Sequence, residues 1–334
     1  MRRVDRRSQL QRWMETQLQV SPLALETVSA DASFRRYFRA RTPALSVVAM
    51  DAPPAHEDCR AFVRVASLMA AAGVHVPRVI AQDLERGFLL LTDLGTAGYL
   101  QALNAVTADD LFRDAIDALL RWQLASKPGV LPPYDRALLA RELQLFPEWY
   151  VRRHRGFELS AGQDKVLNAM FAAILHNNLA QPAVYVHRDF MPRNLMVCEP
   201  NPGVLDFQDA VYGPITYDVA SLFKDAFLSW DEERILDWTA RYWEKARRAG
   251  LPVAADFADF YRDFEWMGLQ RHLKVLGIFA RLHYRDGKTG YLEDTPRFAG
   301  YVRAVAARYG ALRPLLTLFD EIEGKTQAGV GYTF

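Results

Sequence analysis

Apolar runs of strand length dominate the first ninety residues and helical periodicities the remainder, so the hydrophobic pattern divides the chain before any motif is considered. Residues 25–30, 36–40 and 45–50 read as short strands, separated by Asp31-Ala32-Ser33 and Arg41-Thr42-Pro43, and predict an antiparallel meander. Cys59, Phe62, Val63, Ala66, Met69 and Ala70 recur at helical spacing, which predicts one helix over 56–72, stopped at Gly73. Residues 74–82 and 87–92 supply two further strands, and Asp93-Leu94-Gly95 breaks the pattern. Beyond it, Leu111, Phe112, Ala115, Ile116, Leu119 and Leu120 mark a long amphipathic helix with Thr107 and Asp110 placed as a cap. Mainly helical periodicity then continues, broken over 184–207 by strands at 184–186, 195–198 and 204–205. The predicted class is α+β: a small antiparallel-sheet lobe with one helix over residues 1–92, and a larger, mainly helical lobe over 93–334.

A chain of 334 residues exceeds what one core ordinarily serves, which agrees with two lobes. Its formal charge of +1, with acids and bases interleaved, leaves no basic face for nucleic acid. Arg2, Arg3, Arg6 and Arg7 precede no apolar run of signal-peptide length, and no stretch approaches a membrane span. A cytoplasmic protein with no membrane partner is expected. The two cysteines, Cys59 and Cys198, lie far apart in apolar surroundings and read as small core residues.

Chemistry gathers over 187–206. His187-x-Asp189-x-x-x-x-Asn194, with Asp206 twelve residues on, has the spacing of the protein-kinase catalytic loop and metal-binding acid. Phosphoryl transfer needs a group to take the acceptor's proton and a hard cation to offset phosphate charge. Asp189 is the expected base, Asn194 and Asp206 are the expected oxygen ligands for magnesium, ATP is the expected co-substrate, and His187 supports the loop. Only twelve positions separate Asp206 from Asp218, too few for the segment with which protein kinases dock a polypeptide, so a small acceptor is expected.

With these motifs the chain resembles the aminoglycoside phosphotransferase and choline kinase superfamily, a small-molecule branch of the bilobal protein-kinase-like fold. Met50-Asp51-Ala52-Pro53-Pro54, Glu142-Leu143-Gln144-Leu145-Phe146 with Trp149, the loop 187–197, Asp206-Phe207-Gln208-Asp209-Ala210 and the stretch 268–288 resemble its subgroup of bacterial anomeric kinases for N-acetylmuramate and N-acetylglucosamine. The resemblance, which spans about residues 25–320, implies phosphorylation of an amino sugar at C1 in peptidoglycan recycling. It also implies that Asp218 accepts backbone hydrogen bonds from the catalytic loop; the alternative role is the acid of a helix over 219–227. Related acceptors (an aminoglycoside, choline or homoserine) and an inactive nucleotide-binding scaffold are the competing readings.

Two departures and one stripe complete the picture. The turn Asp31-Ala32-Ser33-Phe34-Arg35-Arg36 stands where a glycine-rich phosphate loop is expected but lacks glycine, and Met50 stands where many kinases carry a phosphate-pairing lysine; no lysine precedes Lys127. Ser33, Arg35 and Arg36 are the candidate phosphate contacts, unless another cation takes over the phosphates or nucleotide is bound without turnover, and Glu57 is either an arginine's partner or a solvated acid. Leu91 and Asp93 lie where backbone groups would meet the adenine edge, although the stretch also reads as a plain strand end. Phe260, Phe264, Met267, Arg271, Lys274 and Ile278 share one helical face. Glu142, Trp149, Arg271 and Lys274 are the candidate acceptor contacts; the two cations either meet a carboxylate of the sugar or snorkel to the surface.

Overall fold

The computed structural model describes residues 5–29, 34–225 and 227–324. Ser33, one candidate phosphate contact, lies outside the described residues, as do Asp31 and Ala32 of the same turn and the glycine-rich tail from residue 325. In chain order the first elements are α1 (Arg6–Leu18), β1 (Glu26–Ser29), β2 (Arg36–Arg41), β3 (Ser46–Asp51), α2 (Cys59–Ala71), β4 (Val79–Asp83), β5 (Phe88–Thr92), α3 (Tyr99–Ala102) and α4 (Ala108–Leu124). Then come α5 (Arg136–Leu143), a π-helical segment Phe146–His154, α6 (Ala161–Ala180), β6 (Ala183–Val186), a 3-10 turn Pro192–Asn194, β7 (Leu195–Met196), β8 (Gly203–Val204) and β9 (Val211–Pro214). The chain closes with α7 (Tyr217–Phe223), α8 (Glu232–Arg248), α9 (Phe257–Tyr284), α10 (Thr295–Arg308) and α11 (Arg313–Ile322). The expected α+β class is observed.

Contacts divide the chain into two compact units, Met1–Ala125 with His187–Ala210, and Ser126–Val186 with Val211–Phe334. The first is built on a five-stranded antiparallel sheet in the order β1-β2-β3-β5-β4. Side chains alternate across a strand, and the two faces of this sheet have different fates. Phe38, Ala40, Val47, Ala49, Phe88 and Leu90 bury one face against Leu10, Trp13 and Met14 of α1. Each such large side chain contributes roughly 1.5–3 kcal/mol on burial. Helix α1 is absent from the sequence prediction because only three inward positions at i, i+3 and i+4 mark it among polar residues. The opposite face carries Tyr37, Arg39, Val48 and Leu91, which line a cleft.

Helix α2 ends as predicted: Gly73 takes φ +76°, a region open to glycine. The predicted cap of α4 does not form. Thr107 instead donates its hydroxyl to the Ala102 carbonyl (2.6 Å) and accepts from the Asn104 amide (3.0 Å), so it closes the preceding turn. Of the strand expected over 74–82, only Val79–Asp83 forms; Pro77 cannot donate to a ladder.

The second unit is helical around α9, whose predicted span of 257–282 closely matches the observed Phe257–Tyr284. Leu269, Leu273 and Leu276 of α9 enter a core with Phe146, Tyr150, Phe171, Phe298 and Phe319. Ser160 and Gln163 form a capping box that starts α6. β6 pairs with β9 as the unit's two-stranded ribbon. α7 ends at Phe223, short of the predicted 227.

Candidate active site

The predicted catalytic loop lies in the first unit, where it starts at a buried histidine. His187 is 1% exposed; its Nε2 lies 3.0 Å from the Leu205 carbonyl, and its Nδ1 accepts the Asp189 amide at 3.2 Å. These two partners define a neutral ring with the proton on Nε2. Burial pulls the imidazole down to about 4, against the pull of Asp189 and Asp209 in the other direction. Arg188 then takes φ +78°, turning the chain sharply. The Asp189 carbonyl accepts from the Met191 amide (3.0 Å) and from Asn194 Nδ2 (2.9 Å). The loop is thus held by backbone and by the Asn194 amide nitrogen, and the Asn194 amide oxygen is left for another role. The Asn194 carbonyl accepts from the Leu205 amide at 2.9 Å, tying the loop to the residue before Asp206. The short β7–β8 hairpin completes this link; it overlaps the strands predicted at 195–198 and 204–205, with the first shorter and the second one residue earlier.

Asp206 adopts φ +62°, strained for a residue with a side chain, and its carboxylate is 45% exposed. Gln208 donates to it at 2.9 Å. Its carboxyl is pushed up from the usual range, first by desolvation and then by the negative charge of Asp189. Asp206 and Asn194 line the cleft, and Asp189 is near enough for its charge to act on Asp206. Among the described residues no group of three or more His, Cys, Asp and Glu could hold a metal by itself. On the cleft wall, Asn194 and Asp206 are the residues that would offer oxygen ligands to a divalent cation.

The cleft itself, about 430 Å³, is walled by Tyr37, Arg39, Val48 and Leu91–Thr96, and by Met196, Leu205 and Asp206. Leu91 and Asp93 are among these residues, and the Asp93 side chain is already committed. Arg39 donates to both its oxygens (2.7 and 2.9 Å) and to the Gly95 carbonyl (2.7 Å), while Ser46 and the Gly95 amide also donate to Asp93. Burial works against the Asp93 anion, and these hydrogen bonds outweigh it, holding the carboxyl below its usual range. Asp93 thereby fixes the 91–95 backbone along the cleft. Arg39 escaped the sequence reading; its one signal is a charge on an otherwise apolar stretch of strand between Phe38 and Ala40.

The two arginine candidates separate. Arg36 sits on the α1 face of β2 and pairs with the fully buried Asp51, which also receives Arg6 at 2.5 Å. Arg36 is thus drawn into a structural cluster away from the cleft face, contrary to its expected place among phosphate contacts. Arg35, just before β2, lies 3.9 Å from Asp206 and 3.9 Å from Glu57. Met50, of the same parity as Val48, is fully buried.

The acceptor candidates belong to the second unit. Lys274 Nζ lies 2.9 Å from Glu142 and donates to the Tyr217 hydroxyl at 3.1 Å, while the Tyr134 hydroxyl donates to Glu142 at 2.5 Å. Lys274 meets a protein carboxylate and does not snorkel. Arg271 is also buried, at 4% exposure, and Trp149 is half-buried on the π-helical segment. Asp218 is fully buried in the first turn of α7. Tyr134 and Tyr217 were not singled out from sequence, because nothing in a lone tyrosine marks a partner.

Solved structures share this architecture. The choline kinase LicA from Streptococcus pneumoniae aligns with TM-score 0.62 at 12% identity, over 90% of this chain and 100% of that one. The aminoglycoside phosphotransferase APH(2'')-Ib in its ADP-bound form aligns with TM-score 0.58 at 13% identity, over 93% and 99%. Fold and loop together define an ATP-dependent phosphotransferase of protein-kinase-like architecture. Residues 24–257 match the model of the phosphotransferase enzyme family, and the chain belongs to that family. Its relatives include the N-acetylmuramate/N-acetylglucosamine kinases of Pseudomonas aeruginosa (55% identical over 91% of this chain and 89% of the relative) and of Pseudomonas putida (52%, 97% of each).

Proposed function

We propose that the protein transfers the γ-phosphoryl group of ATP to the C1 hydroxyl of N-acetylmuramate and N-acetylglucosamine, in peptidoglycan recycling in the cytoplasm. The observation that carries the reading is the identity of 52–55% over nearly the whole chain to kinases named for those two sugars. Asp189 accepts the hydroxyl proton as the C1 oxygen bonds to the γ-phosphorus and the bond from that phosphorus to the β,γ-bridging oxygen breaks. ADP and the sugar 1-phosphate result, and the proton resides on Asp189. An anomeric hydroxyl is more acidic than an ordinary alcohol, so a carboxylate suffices as base. Asn194 and Asp206 would hold magnesium, which supplies positive charge to the phosphate oxygens.

In this reading residues 1–92 serve mainly the nucleotide and 93–334 carry catalysis and the acceptor. The Leu91–Asp93 backbone meets the adenine edge, His187 and Asp218 support the loop, and Glu142, Trp149, Arg271 and Lys274 serve the sugar. The paired state of Glu142 and Lys274 favours hydrogen bonding to hydroxyls over capture of a carboxylate by a lone cation. The presence of all three of Asp189, Asn194 and Asp206 favours an active enzyme over a scaffold.

The test is incubation with ATP, magnesium and a panel of amino sugars, amino alcohols and aminoglycosides, with the phosphorylated position read by phosphorus NMR. A C1 phosphate on either amino sugar is expected, and absence of turnover on both would end the reading. Asp189→Asn should retain ATP affinity and lose at least about a hundredfold in kcat.

A further inference from the structure

We propose that Asn201 is a positioning residue for magnesium-dependent nucleotide binding: by tying the tip of the β7–β8 hairpin to Tyr99 and Asp114, it holds the register that carries Asn194 and Asp206 to the cleft. The inference rests on the ATP-dependent kinase reading, with Asn194 and Asp206 as the magnesium ligands, and deepens it.

Both proposed ligands hang from one hairpin. Asn194 directly precedes β7, and Asp206 follows β8 after Leu205. The same hairpin sends Met196 and Leu205 to the cleft. Its own ladder is short: Leu195 pairs with Val204 and Met196 with Gly203, and the Leu205 amide adds a bond to the Asn194 carbonyl at the base. A ribbon of that length is marginal alone, and a slip of one residue would move one strand by roughly 3.3 Å and turn its side chains to the opposite face. The spacing of Asn194 from Asp206 would change with it. Neighbouring backbone of the same unit covers both edges, since the Val197 amide donates to the Ala97 carbonyl and the Val204 amide to the His75 carbonyl, both at 2.8 Å.

The tip between the two strands is held by side chains. Asn201 Nδ2 donates to the Asp114 carboxylate at 2.6 Å and to the Tyr99 hydroxyl at 2.9 Å. A carboxylate only accepts, so the amide nitrogen is the group that faces Asp114. One side chain thus fastens the tip to two helices, with Tyr99 opening α3 and Asp114 lying within α4. Tyr99 is fully buried, and that burial pushes its phenol up, so it stays a neutral hydroxyl. Asn201 Oδ1 is buried with no partner among the described residues, so the side chain is held by what it donates. Beside it in the tip, the Pro200 carbonyl accepts from His75 Nδ1 at 2.6 Å, and His75 is the residue whose own carbonyl holds Val204. A tip clamped by His75, Tyr99 and Asp114 resists sliding, which fixes the register at the far end of the hairpin.

Binding of ATP with magnesium, ATP with a chelator, and adenosine, each by calorimetry on the full chain, separates this role from a structural one. Asn201→Asp keeps the side chain's shape, removes both donated bonds and sets a second carboxylate against Asp114. It should weaken ATP about tenfold with magnesium and leave metal-free ATP and adenosine unchanged. Tyr99→Phe removes one acceptor and should have a smaller effect of the same kind. Combining Asn201→Asp with Asp114→Asn reverses donor and acceptor and should restore most of the magnesium-dependent affinity. Equal losses with and without magnesium, wild-type magnesium dependence in Asn201→Asp, or no recovery in the double variant would each overturn the proposal. If Asn201→Asp does not fold, wild-type magnesium dependence in Tyr99→Phe overturns it instead. Asp206→Ala is the control: if it keeps full magnesium dependence, the assignment of the ligands has failed and the proposal falls with it, whereas a loss in Asp206→Ala without one in Asn201→Asp overturns the proposal alone. No sugar acceptor is needed, so a failure of the amino-sugar assignment leaves these outcomes readable.

Discussion

Asp206 shows how a single residue records competing demands. It occupies the left-handed region at φ +62°, and its carboxyl is raised by desolvation and by Asp189, so the ionised side chain is disfavoured in the folded protein. Asparagine tolerates that backbone and carries no charge. Asp206→Asn should therefore abolish magnesium-dependent turnover while raising the melting temperature of the nucleotide-free protein by about 1–3 °C. A fall in melting temperature would show that the carboxylate stabilises the fold. His187 presents the opposite sign of linkage. Its folded value of about 4 lies below the ordinary value near 6.5, so the unfolded chain takes up its proton first as pH falls. Its contribution is complete above about pH 6.5, is lost through the window down to about 4, and changes no further below. His187→Gln keeps a donor for the Leu205 carbonyl and should flatten the stability curve in that window by at most on the order of 3 kcal/mol. Denaturant melts at pH 4 to 7 check this, and curves of unchanged shape would exclude a neutral buried His187.

At the scale of elements, α9 sets the second unit, and its pattern was plain from sequence because apolar residues repeat over many turns. Its tightest approach was not. A Cβ on Gly277 would come within 2.3–2.4 Å of the Leu145 carbonyl carbon and oxygen, just before the π-helical segment. Backbone cannot yield as a side chain can, so Gly277→Ala should destabilise by about 1–3 kcal/mol, read as a lower midpoint in urea. Wild-type stability would refute so close a crossing. Helix α1 makes the converse point. Its polar, arginine-rich sequence gave little periodicity, yet its three buried side chains cover the sheet face opposite the cleft. The paired Glu142 and Lys274 also became visible only through helix placement, since they lie 132 positions apart in the chain.

The whole molecule is two compact units, and the chain passes between them more than once, with 187–210 returning to join 1–125. That return segment is stitched in by backbone bonds from Val197 to Ala97 and from Val204 to His75, both 2.8 Å, and by the Phe62–Phe207 ring contact at 4.7 Å. A fragment of residues 1–125 should therefore expose apolar surface and show no saturable ATP binding, as read by dye binding and calorimetry. A folded fragment with full ATP affinity would contradict this. Sequence alone determined the class of fold, the strands and helices with strong periodicity, and the residues of the catalytic loop, because each depends on local spacing. That Arg36 pairs with Asp51 on the face under α1 was decided only by tertiary structure, because burial of α1 on one side of the sheet left the other side to form the cleft. The same holds for Asp93 and Lys274, whose partners are distant in sequence and are brought to them by packing.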